Sequence, residues 1–274
     1  MMIDAHQHFW RIGENGCTWP TPDFAAIYRD FLPEEFEALA APLNVRESVL
    51  VQSQESDRDT DWLLGLAEHR DFVKAVVGWV DLKSRKAPER IAALAARPKM
   101  RGLRPMLQSL SDDEWILDPK LDPAVEAMIA HRLSFDALIF TRHLPHLRAF
   151  AKRHPKLPIV IDHAAKPPIG KLRLEPWRSE IAAIAALPNV SCKLSGLFTE
   201  MKPGQDSSVC MPYIDQLMAM FGPSRLMWGS DWPVLNLAGG YASWLKLARE
   251  LCGAHDIPAL ESVFSGTAHN FYRL

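Results

Sequence analysis

Three short stretches of the sequence hold the side chains best suited to chemistry. Near the start, Asp4-Ala5-His6-Gln7-His8 sets two histidines two residues apart. Side chains alternate along a strand, so His6 and His8 are expected to face one way, with Asp4 below them. Such a pair offers two metal ligands or two donors to a developing oxyanion. In the middle, Ile159-Val160-Ile161 runs into Asp162-His163, a polar pair where an apolar strand surfaces. Parity places His163 with Ile159 and Ile161, and Asp162 on the other face. Near the end, Met227-Trp228-Gly229-Ser230 leads to Asp231-Trp232-Pro233. Each stretch has an ordinary alternative: an incidental pair, a histidine capping a strand, a helix N-cap aspartate. Three imidazoles and a carboxylate at one site, however, give either a metal-activated water or a general base beside oxyanion donors, both suited to hydrolysis.

These residues need a frame that brings positions 6, 8, 163 and 231 together. Eight apolar or β-branched runs recur along the chain, at 2–8, 48–52, 75–82, 102–107, 135–140, 158–163, 190–194 and 226–229. Each is followed by apolar residues at helical spacing, such as Leu32, Phe36, Leu39 and Leu43, or Ile214, Leu217, Met218 and Phe221. Strands alternating with helices imply parallel pairing through right-handed crossovers. Eight units in one chain of 274 residues predict an α/β fold, a single-domain (β/α)8 TIM barrel over 1–274. Pro105 makes the fourth run irregular, and 258–274 reads as further helix covering the barrel exterior. In such a barrel the C-terminal strand ends carry function, and runs one, six and eight end in His6 and His8, His163, and Asp231.

Composition narrows the function. With 48% apolar and 23% charged residues, the chain is neither disordered nor short of core. Its 31 Lys and Arg are matched by 33 Asp and Glu, which argues against a nucleic-acid partner. Every apolar run is too short to span a bilayer, so no membrane partner is expected. Cys17, Cys192, Cys210 and Cys252 form no CxxC pair, and Asp4 and His6 stand where a targeting core would begin. These features predict a cytoplasmic protein with free thiols.

Other catalytic templates are missing: no GxSxG, HExxH, GxGxxG after a strand, or GxxxxGK[ST] occurs. His69, His131, His143, His146, His154 and His255 fall on helices or loops and read as solvated, and His269 as packed or exposed. Arg104 on the fourth run is the leading substrate-recognition candidate. Lys193, inside an apolar seventh run, is expected to point into the mouth or to pair with an acid, with Ser195 beside it. Trp10, Trp19, Tyr28 and Trp232 lie in loops after runs one and eight, where Trp10 and Trp232 in particular offer faces for a sugar ring.

The stretches Ile3-Asp4-Ala5-His6-Gln7-His8-Phe9-Trp10, Ile161-Asp162-His163-Ala164-Ala165-Lys166-Pro167 and Trp228-Gly229-Ser230-Asp231-Trp232-Pro233 resemble the amidohydrolase superfamily. Within it the whole chain is similar to the branch of sugar lactonases and pyrone-dicarboxylate lactonases. The resemblance implies a (β/α)8 barrel, with His6, His8, His163 and Asp231 as the catalytic constellation. It implies a small-molecule sugar lactone as substrate, in carbohydrate catabolism, opened by water with Asp231 as the base. Many members bridge two metals with a lysine or glutamate of the fourth strand. Here that run offers Arg104 and Gln108, and the fifth offers Asp136. The expectation is therefore one divalent ion, zinc by ligand type, held by His6, His8, His163 and Asp231, or a metal-independent site. Two other readings are a metal-dependent decarboxylase of an unsaturated or aromatic acid and a non-catalytic barrel that binds a sugar acid.

Overall fold

The computed structural model describes residues 1–253 and 257–274. Its strands are β1 (Met2–Gln7), β2 (Val45–Val51), β3 (Val73–Gly78), β4 (Met100–Leu103), β5 (Ser134–Ala137), β6 (Ile159–Ile161), β7 (Val190–Leu194) and β8 (Leu226–Trp228). The helices that follow them in turn are α1 (Pro33–Ala40), α2 (Asp57–Glu68), α3 (Ala87–Ala95), α4 (Asp122–Ala130), α5 (Leu144–Arg153), α6 (Trp177–Ala185), α7 (Met211–Phe221) and α8 (Tyr241–Gly253). Two short helices, α9 (Ile257–Glu261) and α10 (Thr267–Tyr272), come last. All neighbouring strands pair in parallel and in chain order. Beyond β8, His8 N donates to Trp232 O at 2.8 Å, so the last edge returns to the first. The fold is the (β/α)8 barrel that the alternation predicts.

Local chemistry sets the helix starts. Pro33 opens α1, with Glu34 and Glu35 at the positive end of its dipole. Ser56 caps α2, its hydroxyl accepting from Arg58 N at 3.1 Å. Apolar faces such as Ile91 and Leu94 on α3, or Leu147 and Phe150 on α5, are buried in the cluster between helices and sheet. Each such side chain contributes about 1.5–3 kcal/mol by leaving water. β4 stops at Leu103, earlier than the sequence run, because Pro105 has no N–H for the ladder.

A separate cluster fills the barrel interior: Ile3, Ala5, Val49, Val51, Ala75, Val77, Val160 and Met227, joined by Ala268 and Tyr272 of α10. The terminal helix therefore plugs the barrel and does not cover only its exterior, as the sequence had suggested. It enters at the end where strands begin: Thr267 Oγ1 donates to Pro223 O at 2.6 Å, just before β8, and Arg273 donates to Arg132 O, just before β5.

The start of β1 departs from simple alternation. Asp4 pairs with Ser48 and Gln7 with Leu50, three steps on β1 against two on β2. This bulge lets Ile3 and Ala5 face inward and then His6 and His8 do so too. Asp4 consequently points outward, against the expectation from parity, and accepts from Tyr241 OH of α8 at 2.9 Å. Its other oxygen accepts from His6 N at 3.1 Å and Ser230 N at 2.8 Å, which ties the bulge to the end of β8.

Candidate active site

Four predicted residues meet at the open end of the barrel. His6 Nε2, His8 Nε2 and His163 Nε2 lie 3.7, 3.3 and 3.8 Å from Asp231 Oδ1. The two β1 imidazoles approach to 3.1 Å between their Nε2 atoms. All four residues are buried. Close packing at two glycines admits the rings: a Cβ on Gly229 would stand 2.7 Å from His6 Cβ, and one on Gly196 would stand 2.6 Å from His163 Nδ1.

Backbone strain aims His163. Val160 faces the interior, so Asp162 does too, and regular alternation would turn His163 outward. Instead His163, Ala164, Ala165 and Lys166 all adopt positive φ, between 50° and 57°. This left-handed turn costs roughly 1–2 kcal/mol per residue and brings His163 back to the mouth beside Asp162. The opposite faces expected for the pair are thereby corrected. Trp177 Nε1 donates to Ala164 O at 2.7 Å and Thr141 Oγ1 to Ala165 O at 3.2 Å, holding the turn in place.

The second ring nitrogens decide what the histidines offer. His8 Nδ1 lies 2.8 Å from Val51 O, which only accepts, so the proton is on Nδ1 and Nε2 bears a lone pair. His163 Nδ1 lies 2.9 Å from Ser195 Oγ. His6 Nδ1 lies 3.1 Å from Lys193 Nζ and 3.4 Å from Asp162 Oδ1, and Arg104 Nη1 approaches His6 Nε2 at 3.3 Å. Burial keeps all three rings neutral. It lowers the His163 pKa to about 4, lowers His8, and with the nearby Lys193 charge lowers His6 further. Burial alone would raise Asp231, but the imidazoles, His163 first, outweigh it and hold the carboxyl below its ordinary range. Three neutral imidazoles thus converge on a carboxylate, and the Val51 bond fixes a lone pair on His8 Nε2. This arrangement fits one divalent cation, with each ligand ring held from behind, and His6, His163 and Asp231 have ligand atoms all within 4.8 Å of one another.

Above this cluster lies a cavity of about 470 Å³, lined by His8, His163, Asp231 and Arg104 among others. Arg104 is buried, its Nη2 donating to Gln52 O, its Nη1 3.4 Å from Asp162 Oδ2, and its Nε without a partner among the described residues. The other predicted substrate contacts do not reach the cavity. Lys193 is fully buried below His6, 2.7 Å from Asp136 Oδ2 and 3.0 Å from Asp162 Oδ1. It pairs with acids and leaves no face for substrate. Trp10 and Trp232 are buried in an aromatic cluster, with Phe31 5.4 and 5.2 Å away. Trp19 lines the cavity instead, its loop clasped by Gln54, whose Nε2 donates to Trp19 O at 2.6 Å. Tyr28 is exposed and does not line the cavity.

Asp162, Lys166 and Gln54 also belong to the site, and simple alternation along β6 in register with His163 would have turned Asp162 away from it. Nothing local in the sequence marks Gln54 or Tyr272. Among the remaining histidines, His143 is buried and lies 2.7 Å from Asp113 Oδ1, so it is not solvated as expected. His255 lies outside the described residues. His269 lies 2.6 Å from Glu47 Oε2.

A family profile described as amidohydrolase matches residues 3–274. The chain is 53% identical to an L-fucono-1,5-lactonase of Burkholderia ambifaria, covering 99% of this chain and 95% of that one. It is 35% identical to an L-fucono-1,5-lactonase of Burkholderia multivorans, covering 100% and 96%. A crystal structure of a Burkholderia multivorans amidohydrolase with bound zinc superposes with a TM-score of 0.95 at 35% identity, over 100% of this chain and 99% of that one.

Proposed function

The chain belongs to the amidohydrolase family, and we propose that it is a lactonase that opens a sugar lactone, an aldono-1,5-lactone, with water. The observation that carries the reading is the convergence of three imidazole Nε2 atoms on Asp231 Oδ1, at 3.3–3.8 Å, on the floor of the cavity. Lactonase relatives at 53% and 35% identity support it.

Water adds to the lactone carbonyl carbon, and Asp231 takes the proton that water loses. The carbonyl oxygen becomes an oxyanion. On collapse, the bond from the carbonyl carbon to the ring oxygen breaks, and Asp231 returns the proton to that oxygen. The product is the open hydroxy acid. Zinc held by His6, His8, His163 and Asp231 would supply carbonyl polarisation and a more acidic water. The protein supplies the rest. Burial holds the rings neutral, as ligation requires, and the Asp231 carboxylate presents one oxygen to the rings and keeps a second to take up the proton.

The cavity wall suits a neutral, hydroxylated ring. Thr18, Ser53, Gln54, Gln108 and Ser109 offer hydrogen bonds, and Trp19, Met106, Leu138 and Val234 offer apolar contact. Arg104, which lines the cavity, is placed to bind a substrate oxygen. Only Arg104 and Lys166 among the lining residues are cationic, and Glu55 and Asp231 offset them, which disfavours a dicarboxylate. The four unpaired cysteines agree with a reducing, cytoplasmic location, and no helix among the described residues is long and apolar enough to cross a membrane.

A panel of aldonolactones, with acid release followed in a weakly buffered dye solution, tests the reading. Turnover of a 6-deoxy aldono-1,5-lactone is expected. Loss of carbon dioxide from an unsaturated acid, with no lactone opened, would replace it by the decarboxylase reading. Binding of sugar acids without any turnover would replace it by the non-catalytic one.

A further inference from the structure

Beneath the histidines the barrel interior is charged where aliphatic layers are usual. Tyr272 OH, at the inner end of α10, donates to Asp136 Oδ2 at 2.5 Å. Lys193 Nζ donates to the same oxygen at 2.7 Å and lies 3.0 Å from Asp162 Oδ1 and 3.1 Å from His6 Nδ1. Asp162 Oδ1 in turn stands 3.4 Å from His6 Nδ1. Tyr272, Asp136, Lys193, Asp162 and His6 have no solvent exposure at all. With Arg104 beside Asp162, two carboxylates face two cations, so the column is neutral as a whole.

Apolar side chains of similar volume would serve stability as well as such ions or better. The column has a geometric consequence instead. Asp162 and Lys193 together back the His6 ring at Nδ1, and Lys193 fixes where Asp162 sits. Lys193 is anchored from below by Asp136, whose position Tyr272 sets from the far end of the barrel.

We propose that Tyr272 and Asp136 are positioning residues for the reaction, acting through Lys193 and Asp162 on the ring of His6. The terminal helix α10 then completes the site from the closed end of the barrel. The kinetic part of this proposal rests on the lactonase reading; the zinc part does not.

Two variants test it, Tyr272→Phe and Asp136→Asn, each assayed for kcat, KM, melting temperature and zinc affinity by competition with a chromogenic chelator. Partners behind metal-bound histidines typically change affinity or activity about 10–100-fold. Tyr272→Phe, two contacts further back, is expected at the lower end: kcat down and zinc dissociation constant up by about tenfold, with KM nearly unchanged. Asp136→Asn is expected to show the larger effect in the same direction. If Asp136→Asn does not fold, Tyr272→Phe, which removes a single oxygen, decides alone. The proposal is overturned if Tyr272→Phe melts lower yet keeps parental kcat and zinc affinity, because the hydroxyl would then serve stability only. If the parent opens no lactone, the lactonase reading fails, and zinc affinity still decides for or against the column.

Discussion

Two layers of the barrel interior hold charged or ionisable groups out of water, and they settle them in opposite ways. In the lower layer, Lys193 lies between Asp136 and Asp162, and Tyr272 closes Asp136 from below. Charge meets charge there. In the upper layer, Asp231 faces three neutral imidazoles, beneath a cavity of about 470 Å³. The difference teaches that burial of a charge does not mark a reacting group. What marks the mouth is a set of neutral imidazoles and a carboxylate aimed at one point, beside space for a substrate. In the positioning role proposed above, the lower layer keeps His6 aimed.

The comparison breaks most readily at Asp231. Asp231→Asn keeps the shape of the mouth but cannot take a proton, and general-base contributions run to roughly 10²–10⁴-fold. A fall in kcat of that order is expected, with circular dichroism and melting close to the parent. Activity within tenfold of the parent would remove Asp231 from the base role.

The next largest effect concerns metal. The upper layer offers donors for one ion, so elemental analysis is expected to find one equivalent of zinc per chain. A chelated sample is expected to lose activity roughly 10²-fold, on the order of losing an oxyanion-stabilising interaction, and to regain it when zinc is restored. Two equivalents would contradict the lower layer, where Asp136, the carboxylate of β5, is already taken by Lys193 and Tyr272. Full activity after chelation would mean that no ion is needed, with His6 and His163 acting as hydrogen-bond donors.

A third, smaller test separates the tryptophans. Trp19 lines the cavity, whereas Trp232 is buried against Phe31 and Phe36 at 5.2 and 5.6 Å. Trp19→Ala is expected to raise KM about tenfold, the value of about 1.4 kcal/mol of lost ring contact. Trp232→Phe is expected to leave KM alone and to lower unfolding free energy by about 1–3 kcal/mol. The reverse pattern would restore the sugar-stacking role that the sequence suggested for Trp232.

The eight alternating units are legible in the sequence because each strand and helix carries its own periodicity, and the meeting of His6, His8, His163 and Asp231 is legible because each lies at or just beyond a strand end. Directions are not. A bulge in β1 sends Asp4 out and both histidines in, and the left-handed turn at 163–166 reverses the parity of His163. Both are set by packing against neighbouring elements, such as the Trp177 bond to Ala164 O, which no local pattern encodes. Lys193 was visible as an oddity, yet its partners come from β5, the end of β6 and the last helix. The sequence distances among them hide the cluster.

Asp59 supplies the mildest test, because it belongs to neither layer. It is buried on α2, accepts from Ser53 N at 3.3 Å, and has no ion-pair partner among the described residues. Burial pushes its pKa up to about 7, against the pull of the Ser53 and Gln54 backbone bonds and of Arg104. The sign follows from proton linkage. Below an ordinary aspartate pKa of 3.8 the group is protonated in both folded and unfolded chains, and its contribution to stability is fully present. As pH rises from there towards about 7, the unfolded chain gives up the proton and the folded one keeps it, so that contribution is progressively lost. The excess unfolding free energy of the parent over Asp59→Asn, measured in urea, should therefore decline between about pH 4 and 7, by on the order of 1–3 kcal/mol. Asp59→Asn cannot titrate, so the difference separates this carboxyl from the buried histidines, whose lowered pKa values make their contribution rise with pH over the same range. Parallel curves for parent and variant would mean that Asp59 is already ionised at pH 5. A buried carboxylate would then be tolerated here without a partner, and the contrast between the two layers would lose its physical basis.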